Sequence, residues 1–291
     1  MTHRRSDILG ESGWFQSARV QLLDFDVAIH SDHRAVIDLI DELYEPSAVP
    51  GSASSALMIG ATTYRGEPGY FTALDGDVLV RSTAPTVAFA HLLFEANQQA
   101  IERSQGLIRL HAAAAAADGR VIALPGPMGA GKSTLAAALV RRGLHYLTDE
   151  VVAIDPATAE VRPYAKPLSL GVAPLALGRV SWTPPVGSDR FLGSAGVVPA
   201  SVLGSLETTP RPLAAIVMPR YTEGAPTHIE LVGAADALSQ LAAHTFHLDE
   251  PGTLATLARL VGDVPTYALT SGDLDGAVDA VLNVVGEARV A

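Results

Sequence analysis

The stretch Leu124-Pro125-Gly126-Pro127-Met128-Gly129-Ala130-Gly131-Lys132-Ser133-Thr134 decides the fold. It fits the pattern Gly-x-x-x-x-Gly-Lys-[Ser/Thr], with Gly126, Gly131, Lys132 and Ser133 in the fixed places. Each residue type has a physical reason. Glycines let the backbone wrap a phosphate and turn its N–H groups inward. A helix beginning near Lys132 adds the positive end of its dipole. The lysine ammonium reaches terminal phosphates, and the serine hydroxyl joins the shell of a magnesium ion. The nine residues from Gly126 to Thr134 are therefore the candidate phosphate cradle.

A chain with 26 glycines can match such a pattern by chance, so the flanks decide. Arg120-Val121-Ile122-Ala123-Leu124 reads as a short buried strand. Thr134 to Arg142 reads as a helix, with Gly143 where a C-terminal glycine belongs. Strand, glycine loop and helix come in the required order. Upstream, Leu107 to Ala117 is alanine-rich, which favours a helix by propensity alone. Asp118-Gly119 follows, however, and then the apolar strand, which is the strongest short hairpin signal. We therefore read a strand of small residues, with Ala117 paired to Arg120. Carried outward, that register sets His111 opposite Gly126.

Downstream, the helix spans roughly 15 Å and Leu144 to Leu147 returns as a strand of roughly 13 Å. Thr148-Asp149-Glu150 is thus brought back to the level of the loop. We expect the pair at the C-terminal end of a parallel strand, where ligands of α/β sheets bind. One carboxylate can hold magnesium and the other can accept a proton from an attacking hydroxyl. Val151–Ile154 and Glu160–Arg162 continue as strands around a turn at Asp155-Pro156-Ala157-Thr158. Lys166, in a Pro-broken segment, and Arg190, in a long irregular loop over 178–206, are candidate phosphate or substrate contacts. Leu213–Pro219, His228–Val232 and Thr266–Leu269 read as late strands. Ala234–Ala243, Pro251–Val261 and Asp273–Val285 read as helices.

Residues 1–106 form a first region of α+β character. Val20 to Ile29 reads as one strand, His33 to Tyr44 as an amphipathic helix, and Ala56–Tyr64 and Gly69–Leu74 as strands. Asp75-Gly76 is a hairpin signal before Val78–Val80, and Pro85 opens a helix to about Glu102. The region either supports the nucleotide site or grips an acceptor. Residues 107–291 form the nucleotide domain.

The whole chain sets the bounds. Its 291 residues carry 48% hydrophobic and 18% charged side chains, ample for a core. A net charge of −11 argues against a basic nucleic-acid surface. No cysteine is present, which removes disulfides, thiolate nucleophiles and zinc–thiolate sites and fits a cytoplasmic protein. No apolar run is long enough to span a membrane, and Met1 to Asp7 leads into polar sequence.

The run from His111 to Ile154 resembles the catalytic core of the HPr kinase/phosphorylase family. It is most similar to the shorter HPr-kinase-like kinases of modified-peptide (lasso-peptide) gene clusters. The family has a histidine ahead of Gly-x-x-Gly-x-Gly-Lys-Ser, a helix ending in Arg-Gly, and a strand ending in two acidic residues. Here these are His111, Gly126 to Ser133, Arg142-Gly143 and Asp149-Glu150. The resemblance implies an α/β fold of the HPr kinase/phosphoenolpyruvate carboxykinase P-loop type. It also implies ATP- and magnesium-dependent phosphorylation of a serine hydroxyl in a peptide or protein, and a homo-oligomer. By position, Lys132 would stabilise the transferring phosphoryl group and Ser133 would bind magnesium. Glu150 stands in the place of the general base and Asp149 in the adjoining acidic position. His111 would lie beside both. The family pair is Asp-Asp, so which carboxylate is the base stays open. The family's later glutamate within a Gly-rich signature and its phosphorylase segment have no match. Kinase activity without the reverse reaction is therefore expected, on an acceptor other than HPr. A small-molecule kinase of the free-serine type and a non-catalytic nucleotide switch are the alternatives.

Overall fold

The structure, a computed structural model, describes residues 13–169, 182–193 and 196–287. Residues 178–181 and 194–195 of the expected long loop lie outside them. The protein is mixed α/β with several sheets and divides into two compact units. The first holds the described residues up to Ser104 together with the described parts of 167–171 and 181–199. The second holds the described parts of the remainder. Among the described residues no helix is long and apolar enough to cross a membrane.

The first unit is built on a six-stranded sheet. β1 (Phe15–Leu22) and β2 (Phe25–Ser31) form a hairpin with Leu22 opposite Phe25. This corrects the single strand expected over Val20–Ile29. The apolar pair Leu22-Leu23 conceals the turn, in which Leu23 adopts φ +53°. α1 (Arg34–Leu43) buries Val36, Ile37, Leu39, Ile40 and Leu43, a stripe at helical spacing. It crosses over to lay β4 (Ser55–Tyr64) parallel to β2 after the short β3 (Ala48–Val49). β5 (Glu67–Leu74) and β6 (Asp77–Ser82) follow by tight hairpins, and α2 (Pro85–Arg103) packs through Ala88, Phe89, Leu92 and Ala96. The order is β3-β1-β2-β4-β5-β6.

In the second unit β7 (Ile108–Ala117) and β8 (Arg120–Pro125) form the hairpin read from Asp118-Gly119. Ala117 is paired to Arg120 and Ala112 to Pro125. Both turn residues have positive φ, 50° and 73°, as a two-residue turn of this hand requires. α3 (Lys132–Arg141) follows the loop. β9 (His145–Thr148) and β10 (Val151–Ile154) both pair antiparallel with β7, on its other side, and β11 (Glu160–Arg162) pairs with β10. In the first unit β12 (Leu168–Ser169) pairs with β13 (Val197–Val198) around the short α4 (Asp189–Leu192). The second unit ends with β14 (Arg211–Tyr221), β15 (His228–Leu231), α5 (Ala234–Ala242), α6 (Thr253–Asp263), β16 (Thr266–Ser271) and α7 (Leu274–Glu287).

Here the order is β11-β10-β7-β8-β14-β16-β15, with β14 parallel to both β8 and β16. β11 also pairs with the start of β14, Val161 opposite Arg211, so five strands close into a ring at that end. The alanines of β7 divide by parity. Ala112, Ala114 and Ala116 join a core with Ala237, Leu241, Leu257 and Leu260 of α5 and α6. Ala113 and Ala115 join one with Leu135, Leu139, Val278 and Val281 of α3 and α7. Helices cover both faces, and small side chains on β7 let them press close.

Candidate functional site

β8 ends at Pro125 and hands the chain to a loop whose shape needs its glycines. Gly129 and Gly131 have φ of +81° and +92°, in the left-handed region. A Cβ on Gly126 would stand 3.3 Å from the Ala130 Cβ. The turn is tied by Ala130 N–H donating to Pro127 O at 3.2 Å, and Met128 at its tip is almost fully exposed. Gly131 then caps α3, so Ser133 and Thr134 lie in its first turn. The Lys132 ammonium folds back to donate to Gly126 O at 2.7 Å and Pro127 O at 2.9 Å. Its third partner is His111 Nε2 at 3.2 Å.

β7 places the second group. His111 lies one rung beyond the Ala112–Pro125 pair and opposite Val151 of β10. Thr148 is opposite Ala114 and Val151 opposite His111, so Asp149 and Glu150 form the bend between β9 and β10. The neighbouring rung is held by Ala112 N–H donating to Glu150 O. The acidic pair was expected at the end of a parallel strand. β9 does run the same way as β8, but only because both are antiparallel to β7, which lies between them. One strand therefore sets the position of the loop on one side and of the carboxylates on the other.

The site is electrically crowded. His111 Nδ1 is 3.6 Å from Glu150 Oε1. Burial, and then the Lys132 charge, push the His111 pKa below its ordinary value, and Glu150 partly opposes them. Burial lowers the Lys132 pKa, and Glu150 and Asp149 oppose it. Lys166 lies at the carboxylates, 3.2 Å from Asp149 Oδ1 and 3.6 Å from Glu150 Oε2. Burial alone would lower its pKa, but the two carboxylates raise it overall. The buried Tyr146 hydroxyl donates to Asp149 Oδ1 at 3.0 Å, and its own pKa is raised by burial and by Asp149. Arg190 lies in the first unit, 3.3 Å from His33 Nδ1 and over the Phe191 ring.

Lys166, singled out from the sequence as a phosphate or substrate contact, stands against the two carboxylates. Sequence reasoning passed over three neighbours, of which Tyr146 holds Asp149. His244 O accepts from His111 N at 2.7 Å, and Phe246 stands edge-on to the His111 ring at 6.1 Å. The Tyr146–Asp149 contact links β9 to the bend that follows it, three residues on, and could have been suspected from the run Tyr-Leu-Thr-Asp. His244 and Phe246 arrive from a distant segment without any local signal. On the other side of the loop lies a cavity of about 330 Å³, walled by the first turn of α3, the ends of β14 and β16, and the start of α7. It was not foreseen.

No protein-family model matches the chain, and no curated protein matches it. Among solved structures the chain is similar to the HPr(Ser) kinase/phosphatase from Coxiella burnetii. The identity is 12% and the TM-score 0.31, over 62% of this chain and 96% of that one. So loose a superposition carries no functional inference.

Proposed function

We propose that the protein is an ATP- and magnesium-dependent kinase that transfers the γ-phosphoryl group to a serine hydroxyl of a peptide or protein. The observation that carries this reading is the joining of phosphate loop and carboxylates through one residue. The Lys132 ammonium is 3.2 Å from one nitrogen of His111, and Glu150 is 3.6 Å from the other. A protein that only bound nucleotide would not need a carboxylate pair there. The choice of serine, and of a precursor peptide as acceptor, rests on the sequence resemblance.

In this mechanism the loop amides and Lys132 hold the triphosphate. Ser133 and Asp149 would hold magnesium. A hydroxyl and one carboxylate form the sparse oxygen set that this ion takes beside phosphates and water. No group of three or more His, Asp or Glu among the described residues is placed to hold a metal. When bound, the ion supplies charge neutralisation on the phosphate oxygens. The acceptor oxygen bonds to the γ-phosphorus as the bond to the β–γ bridging oxygen breaks, and ADP leaves with the electron pair. The acceptor proton passes to Glu150. Asp149 is already engaged by Tyr146 and Lys166 and its side chain is 11% exposed, whereas that of Glu150 is 32% exposed.

The test is mass spectrometry of serine-containing peptides after incubation with ATP and magnesium. Wild-type protein should add about 80 Da, and Lys132→Ala should lower the rate at least about a hundredfold. Transfer by Lys132→Ala at the wild-type rate refutes the assignment. Nucleotide binding with no phosphorylated product across the panel favours a non-catalytic switch.

A further inference from the structure

Lys166 is a charge to which the transfer mechanism gives no step. Its side chain is 16% exposed, and the chain around it is pinned. Tyr164 N–H donates to Leu147 O at 3.2 Å, and Lys166 N–H donates to Tyr164 O at 3.0 Å, which ties the segment to β9. Tyr164 and Ala165 are themselves buried. The ammonium is thereby delivered to the bend between β9 and β10, 3.2 Å from Asp149 Oδ1 and 3.6 Å from Glu150 Oε2. We propose that Lys166 is an internal counter-ion, which neutralises the carboxylate pair and keeps a divalent cation out until the nucleotide phosphates bring it in.

This inference rests on the kinase reading for the identity of the ion and of the phosphates. Three observations carry the role of the lysine itself. First, Lys166 is the cation that touches both carboxylates. The Lys132 ammonium gives its contacts to Gly126 O, Pro127 O and His111 Nε2. His111 stands 3.6 Å from Glu150 through its other nitrogen, but a ring that accepts from a lysine is uncharged. Second, Asp149, Glu150 and Lys166 together carry one net negative charge, where the pair alone carries two. An ammonium in contact with both carboxylates repels a divalent ion approaching the same oxygens, and water screens that repulsion weakly in a partly buried bend. Magnesium bound through one or two carboxylates completes its shell with substrate phosphates and water. A triphosphate supplies both those oxygens and the negative charge that outweighs the lysine. Third, the Tyr146 hydroxyl donates to the same Asp149 oxygen that the lysine approaches. Removing the ammonium therefore uncovers charge without stripping that oxygen of its hydrogen bond.

Equilibrium dialysis of the full chain against Mn2+, a probe for magnesium, measures the ion that the protein retains. Wild type should hold Mn2+ at least about tenfold less tightly alone than with a non-hydrolysable ATP analogue. Lys166→Met removes the charge and should tighten Mn2+ binding without nucleotide at least about tenfold over wild type. Lys166→Arg keeps the charge and should stay within about threefold of wild type. Combining Lys166→Met with Asp149→Asn restores one net negative charge and should return the affinity to the wild-type level, which locates the gained ion at the pair. The inference is overturned if Lys166→Met gains nothing, if Lys166→Arg gains as much, if the double variant keeps the gain, or if wild type holds Mn2+ as tightly alone as with the analogue. The last comparison uses no substitution, so it decides even where a variant fails to fold. A gain in Lys166→Met beside wild type that retains no Mn2+ with the analogue supports the counter-ion and overturns the kinase reading.

Discussion

His111 accepts a hydrogen bond from the Lys132 ammonium, which a protonated imidazole cannot do. The proton of the neutral ring therefore belongs on Nδ1, the nitrogen facing Glu150. Burial and the lysine charge lower the pKa from 6.5, so the ring is uncharged at neutral pH. Between 6.5 and the lowered folded value the unfolded chain binds this proton and the folded chain does not. His111 thus opposes folding progressively as pH falls through that window. Nitrogen NMR should find its midpoint below 6.5, and higher in Lys132→Met, where the repelling charge is gone. A wild-type midpoint at or above 6.5 contradicts the geometry. His111 was legible in sequence because two-residue turns fix register. Lys166 was legible only as a charge: its partners depend on how the chain folds back after Arg162, and no local pattern encodes that.

At the scale of elements, the hairpin is the most readable part of the molecule. Asp118-Gly119 overrode the helical propensity of Ala112 to Ala117, and parity along β7 explains why alanine was used. The path of the acidic strand was harder to read. Direction can be inferred from a helix return, but the neighbour in the sheet cannot, and β9 lies beside β7. The ends of the elements allow a direct comparison of two glycines. Gly143, after α3, has φ +100° and open space around it. Gly143→Ala should cost about 1 kcal/mol from backbone strain alone. Gly272, between β16 and α7, has no such φ, but a Cβ there would lie 2.7 Å from Ala225 N and 2.8 Å from Ala225 O. Gly272→Ala should cost more, about 2–3 kcal/mol, because main chain must move. Urea denaturation of the two variants measures both, and the reverse order of losses would show that the Ala225 segment yields freely.

At the scale of the whole molecule, the first unit is not a continuous piece of chain. Phe191, from the short α4, is 1% exposed among the rings of His33, Tyr70 and Phe89. Trp182, from the same returning segment, donates through Nε1 to Glu42 Oε2 at 3.1 Å. A division near residue 106 could be proposed from the order of elements in the sequence. The return of 182–193 could not, because one aromatic in a Pro- and Gly-rich stretch has no periodicity to expose it. Phe191→Ala should cost about 3–5 kcal/mol. Residues 1–104 expressed alone should likewise unfold at lower urea than the first unit does in the full chain. Equal midpoints would show that the aromatic nest closes without Phe191.

The ring formed where β11 pairs with both β10 and β14 implies an order of assembly. The β7–β8 and β10–β11 pairings join near neighbours in sequence, so little loop entropy opposes them. The rung between Val161 and Arg211 must wait for the intervening chain, and it closes the circle. Folding should therefore set His111 against the glycine loop early, and bring up β14, with its wall of the cavity, only as the circle shuts. Synthesis from the N-terminus reinforces that sequence, since the phosphate loop leaves the ribosome well before the strand that completes its far side.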